Sequence, residues 1–163
     1  MAGEPWYPGG YNIQPSYATA PTIHFWDLER FTRRRRRYWD AAWGRALKRW
    51  ELSGLELTYH PGPLGCVEHG VTVEVIDVPP GIGAWAQYSA APVCSFVQID
   101  VTTWRNALRS RNIRYLTEVM THEIGHVLGF GHGGDGIMSY LPDKPIWPND
   151  EEIAAAREYW GTG

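Results

Sequence analysis

An α+β domain, one sheet with helices packed on it, is the fold class this sequence predicts, and three features predict it. Short β-branched or alternating segments are set between Pro- and Gly-rich breaks. Two longer stretches carry apolar residues at three- and four-residue steps instead. The two kinds alternate along the chain in the order strand, helix, three or four strands, helix, helix. The 163 residues are 44% hydrophobic and 20% charged, enough to bury a core and too apolar for a disordered tail. No stretch approaches the ~18 uninterrupted apolar residues of a membrane span, and the first residues lack the basic and apolar regions of a secretory signal.

Residues 1–21 are expected to form an extended arm, because Pro5, Pro8, Pro15 and Pro21 oppose helix and central strand while Trp6, Tyr7, Tyr11 and Tyr17 suit attachment to a surface. Residues 22–163 form the domain. Thr22–Leu28 reads as the first strand. Residues 31–52 read as a helix with one apolar stripe that includes Trp39, Trp43, Ala46 and Trp50, and Gly54 ends it. Leu55, Leu57 and Tyr59 alternate as a short strand, Val71–Val78 as a buried one, Ala84–Ser89 as an edge strand and Phe96–Val101 as a further strand. Asn112 is placed to cap a helix from Ile113 to Leu128, with Gly129 as its left-handed stop. Asn149 and Glu152 have capping-box spacing for a last helix that Gly161 ends.

The chemistry concentrates on the helix from Ile113. Its end reads His-Glu-Ile-Gly-His-Val-Leu-Gly-Phe-Gly-His from His122 to His132. On a helix His122 and His126 stack one turn apart, so two imidazoles face one ion. Gly129 frees the backbone to turn back, which lets His132 arrive as a third ligand. Three neutral imidazoles leave a zinc ion its full charge and an open fourth position, as in catalytic sites; structural sites are closed by four ligands. Glu123, about 100° round the helix from His122, is placed to act as general base and then acid on a metal-activated water.

The pattern HExxHxxGxxH with a following methionine, Met138 in Gly136–Tyr140, resembles the metzincin clan of zinc endopeptidases. Gly81–Tyr88 resembles the edge strand of matrix-metalloproteinase-like (matrixin) catalytic domains, Ser95–Trp104 their next strand, and Asn149–Gly161 their closing helix. The resemblance implies a twisted mixed sheet of about five strands with an active-site helix, a backing helix and a C-terminal helix. It implies a zinc endopeptidase with one catalytic Zn2+ on His122, His126 and His132, and Met138 as an apolar floor beneath the imidazoles. Tyr140, two residues after Met138, is similar to the astacin and serralysin tyrosine that stabilises an oxyanion. The short step from His132 to Met138 departs from the matrixins. A cysteine-switch motif and a second-zinc pattern are not visible, and calcium is compatible but not indicated.

On the substrate side, an extended peptide is expected to pair with the edge strand at Ala84, Trp85 and Ala86, with Trp147 closing a pocket. The alternative is a non-catalytic zinc-containing binding or assembly module, for example a virion-associated protein, that docks through the arm or the Arg33–Arg37 helix. Residues 30–49 hold nine of the fifteen Lys and Arg and one acid in a chain of net charge −3. The run Arg33–Arg37 reads either as a solvated helix start or as a docking patch for nucleic acid, another anionic polymer or a partner protein. Cys66 and Cys94 are compatible with a disulfide in an oxidising setting, and His24 reads as an ordinary strand residue.

Overall fold

Alternating side chains in the first segment put Ile23, Phe25 and Asp27 on a buried face and Thr22, His24 and Trp26 on the other. This is β1, Thr22–Asp27, in a computed structural model that describes residues 20–62, 69–79, 81–87, 95–139 and 146–163. The remaining elements are α1 (Arg33–Trp50), β2 (Glu56–Pro61), β3 (Gly70–Ile76), β4 (Ala84–Gln87), β5 (Ser95–Asp100), α2 (Val101–Ser110), α3 (Ile113–Val127) and α4 (Asp150–Trp160). The strands form one five-stranded sheet in the order β2-β1-β3-β5-β4. It is mixed: β1 runs parallel to β2 and β3, β3 parallel to β5, and β4 antiparallel to β5. The α+β class and the edge position of the Ala84 strand are as the sequence predicts. No helix among the described residues is long and apolar enough to cross a membrane.

One element differs from the expectation. Val101–Trp104 is the first turn of α2 and not the end of a strand. Asp100 decides this, because its carboxylate accepts from Thr102 N at 2.8 Å and Thr103 N at 3.2 Å and so caps a helix. The described fold therefore has four helices. The helix expected over 31–52 occupies 33–50 and tightens into a 3-10 turn, Glu51–Ser53, before Gly54 in the left-handed region. The expected arm falls almost wholly outside the described residues.

The aromatic stripe of α1 forms the centre of the core. Trp39, Trp43 and Trp50 are fully buried. Trp43 meets Phe25 of β1 with ring centroids 5.8 Å apart, and Trp39 meets Trp104 of α2 edge-on at 5.2 Å. Trp50 Nε1 donates to Thr121 O at 2.8 Å and Trp160 Nε1 to Leu128 O at 3.0 Å. Buried indoles thus hold α1 and α4 against α3, the helix that carries the histidines. At the other end of α1, Asp27 is buried and accepts from Trp39 Nε1 at 3.1 Å, from Tyr59 and from Arg36. Burial pulls the Arg36 guanidinium down, but Asp27 outweighs it and holds Arg36 above its ordinary value.

Candidate metal centre

The helix and its stop form as the sequence predicts. Asn112 accepts from Tyr115 N at 3.0 Å to start α3, and Phe130 N returns to Gly125 O at 3.0 Å across Gly129, whose φ is 103°. This reversal brings His132 back over the helix. His132 Nε2 lies 3.0 Å from His122 Nε2 and 3.1 Å from His126 Nε2. Three candidate ligand atoms, one from each ring, all lie within 4.8 Å of one another, so the group can hold a metal ion such as zinc. His122 is buried and the other two are half-buried.

The ring tautomers follow from their partners. His122 Nδ1 is 2.8 Å from Ile137 O, and His126 Nδ1 is 2.8 Å from Phe130 O. A carbonyl only accepts, so both Nδ1 atoms carry the proton and both Nε2 atoms present lone pairs. A hydrogen bond among the three Nε2 atoms then needs a proton on His132, and that proton serves one contact at a time. The second contact brings two lone pairs together, an arrangement that a shared cation relieves. The donor set therefore fits a divalent metal.

A second layer holds the turn that carries the Ile137 carbonyl. Glu152, almost fully buried, accepts from Ile137 N at 3.1 Å, Met138 N at 2.9 Å and Asn149 N at 2.9 Å. Burial pushes its carboxyl above the ordinary carboxylate range, with the three amides pulling the other way. A Cβ on Gly136 would fall inside the Glu152 carboxylate, so glycine is what admits it. A Cβ on Gly125 would likewise fall inside Met138 Sδ. The Met138 thioether therefore lies against α3 at Gly125, in full burial. From sequence Glu152 shows only its capping-box role, which is present. Its hold on the Ile137–Met138 turn carries no sequence signal, because the two segments meet only in the folded chain.

The other residues singled out in the sequence are placed as follows. Glu123 is buried, next to His122 on α3. Ala84 and Ala86 are partly buried on β4, and Trp85 is exposed, with its indole donating to Gln98. Trp147 is exposed and covers the guanidinium of Arg49 at 5.1 Å from ring centroid. Arg49 in turn donates to Thr121 Oγ1 at 3.2 Å, beside the first histidine. Sequence reasoning missed this buried arginine. Tyr140, Cys66 and Cys94 lie outside the described residues. His24 is more than a strand residue, since its Nδ1 meets His60 Nε2 at 3.1 Å and Thr58 Oγ1 at 2.8 Å. No third ligand joins that pair, and among the described residues the three-histidine group alone has metal-site geometry.

No family model matches the chain, and no curated protein does. Among solved structures it is similar to a chain of the structure described as "GM1 bound form of the ECX AB5 holotoxin", at 15% identity and a TM-score of 0.46, over 87% of this chain and 70% of that one. What that description says of GM1 and of a holotoxin is said of that protein. These findings correct the family expectation. No family model and no curated protein supports the clan. The metzincin and matrixin identity is therefore not supported, and the zinc-endopeptidase function drawn from it and its assembly-module alternative fall with it. The resemblance rests on the eleven-residue motif, the methionine after it and three flanking segments, and the physical content of the motif is a ligand set. That ligand set is what remains.

Proposed function

We propose that the protein is a metal-dependent hydrolase of acyl bonds, amide or ester, with one zinc ion held by His122, His126 and His132. The observation that carries this reading is the convergence of Nε2 lone pairs fixed by Ile137 O and Phe130 O. Three neutral ligands rather than four leave room for chemistry. When bound, the cation supplies Lewis acidity, which acidifies water and polarises an acyl oxygen. Glu123, buried beside His122, takes the proton of the attacking water and returns it to the leaving group. Met138 gives the imidazoles an apolar support. Tyr140, if its side chain reaches the acyl oxygen, adds a donor to the developing charge. Among the described residues β4 pairs with β5 alone, and α3 lies against it. Its outer edge, at Ala84, Trp85 and Ala86, offers backbone groups to an extended peptide-like substrate, with Trp147 a further contact.

Two measurements test this together. Zinc content and affinity are read on the folded chain, and turnover on a panel of amide and ester substrates is read with and without chelator. One zinc per chain, turnover lost to the chelator, and a Glu123→Gln variant that keeps zinc but loses at least ~100-fold in kcat would support the reading. Folded protein that never loads zinc overturns the metal centre. Loaded protein that turns over nothing in the panel, or a Glu123→Gln variant with unchanged kcat, overturns the hydrolase.

A further inference from the structure

We infer that the start of α1, together with the last turn of α2, is a docking groove for single-stranded nucleic acid. The groove is independent of the metal centre. Five successive arginines cannot share one helix face, and the structure divides them. Arg36 turns inward to Asp27, while Arg33, Arg34, Arg35 and Arg37 are exposed. Among the described residues none of these four makes an ion pair. The fold then adds a cation that the run does not contain, because α2 ends beside α1 and brings Arg109 to the same surface.

The surface is concave. An open hollow of about 740 Å³ is lined by Arg33, Arg34, Arg37 and Tyr38. A second of about 220 Å³ is lined by Arg34, Arg35, Tyr38, Leu108 and Arg109. Arg34 and Tyr38 belong to both, so two cationic hollows adjoin across one aromatic side chain. The field of the helix adds to theirs. The Thr32 side chain makes no capping bond and no acid stands in the first turn of α1, so the positive end of the helix dipole coincides with the guanidiniums. In the free protein these like charges repel, and a bound anion relieves the repulsion.

The chemistry of the lining selects the occupant. Guanidinium forks match phosphate oxygens in pairs, and the tyrosine between two such sites offers a face on which a base can stack. That is the pattern of backbone tracking with sequence-tolerant stacking. A lipid surface fits less well. Among the described residues, the exposed large apolar side chains (Leu28, Leu52, Ile82, Trp85, Tyr115 and Trp147) line neither hollow, so these offer the patch none to insert.

The test is fluorescence anisotropy of the full chain with labelled oligothymidylate of about 20 nucleotides, beside vesicles containing anionic phospholipid. We expect binding whose affinity falls with salt by a log–log slope of roughly −2, near −0.7 per phosphate neutralised. The triple variant Arg33→Ser/Arg34→Ser/Arg37→Ser should weaken binding at least about tenfold and flatten that slope. All three side chains are exposed, and an unchanged circular dichroism spectrum checks the fold. Tyr38→Leu should weaken binding several-fold, by about the 1 kcal/mol lower end of a stacking contact, with the slope unchanged. Absence of oligonucleotide binding at low salt, or a triple variant that binds as tightly as wild type, overturns the groove. Vesicle binding that needs the arginines while the oligonucleotide does not bind, or full affinity in Tyr38→Leu, overturns the nucleic-acid assignment.

Discussion

At the metal centre the direction of each ligand is set from behind: Ile137 O holds His122, Phe130 O holds His126, and Glu152 holds the turn that carries Ile137. At the start of α1 four guanidiniums face solvent, with neither a side-chain cap nor an acid in the first turn to oppose them. The first region is preorganised, with buried polar groups answered by neighbours at hydrogen-bond distance. The second acts through its field, which reaches about a Debye length and is screened by salt. Substitutions should therefore behave differently in the two places. They should be large, structural and insensitive to salt near the histidines, and small and salt-dependent on α1.

The largest effect is expected from Glu152→Ala. It leaves the buried amides of Ile137 and Met138 without their acceptor, at a cost of about 3 kcal/mol or more for two such groups. With the turn released, His122 loses its fixed Nδ1 partner, and zinc affinity should fall roughly 10- to 100-fold. Urea unfolding of the metal-free chain measures the first quantity and titration against a competing chelator the second. Unchanged zinc affinity in a folded Glu152→Ala protein would show that the support does not reach the ligand.

Gly125→Ala comes next. Its Cβ would enter the Met138 thioether and approach Trp50 Cζ2, and overpacking of this kind costs roughly 1–3 kcal/mol. A Met138→Ala change in the same chain should restore part of that loss, because it removes the atom in the way. Additive losses in the double variant would mean that the two residues do not share the space assigned to them.

Smaller again is Asp100→Asn at the start of α2. Burial alone would raise this carboxyl, but the amides of Thr103, Thr102 and Val78 outweigh it and hold it below its ordinary value. A depressed folded pKa stabilises the protein above the unfolded value and loses that contribution as pH falls through the folded one. Wild type should thus exceed Asp100→Asn by up to about 1 kcal/mol at neutral pH. The gap should close as pH drops below about 4. A gap independent of pH would assign the effect to shape and not to charge.

Asp100 also shows what the sequence leaves hidden. Asp100 with Val101, Thr102 and Thr103 after it contains a helix cap, yet β-branched Val101 reads as the last residue of the strand, and the family resemblance carries that strand on to Trp104. Local pattern could not choose between the two, and the capping bonds did. The histidines were legible because metal ligation imposes a spacing on a helix and a glycine on its stop. Glu152, Gly136 and Arg49 were not, because their partners lie on other elements and meet them only on folding. The same holds for Arg109, which reaches the arginine surface by tertiary placement.

The smallest expected effect is the one that most directly separates the two regions. Arg34 is the second residue of α1, in the turn where the helix dipole favours an acid and disfavours a base. Arg34→Glu replaces a repelled charge with an attracted one and places it within reach of Arg37 and Tyr38, three and four residues on. Stability of the protein should rise by roughly 0.5 kcal/mol at low ionic strength, read as a small increase in melting temperature. At 1 M salt the Debye length is about 3 Å and the gain should disappear, whereas the Glu152→Ala loss should persist. A gain that survives high salt would mean that Arg34 is strained by contacts and not by its charge. A loss of stability would mean that the arginines are already satisfied where they stand.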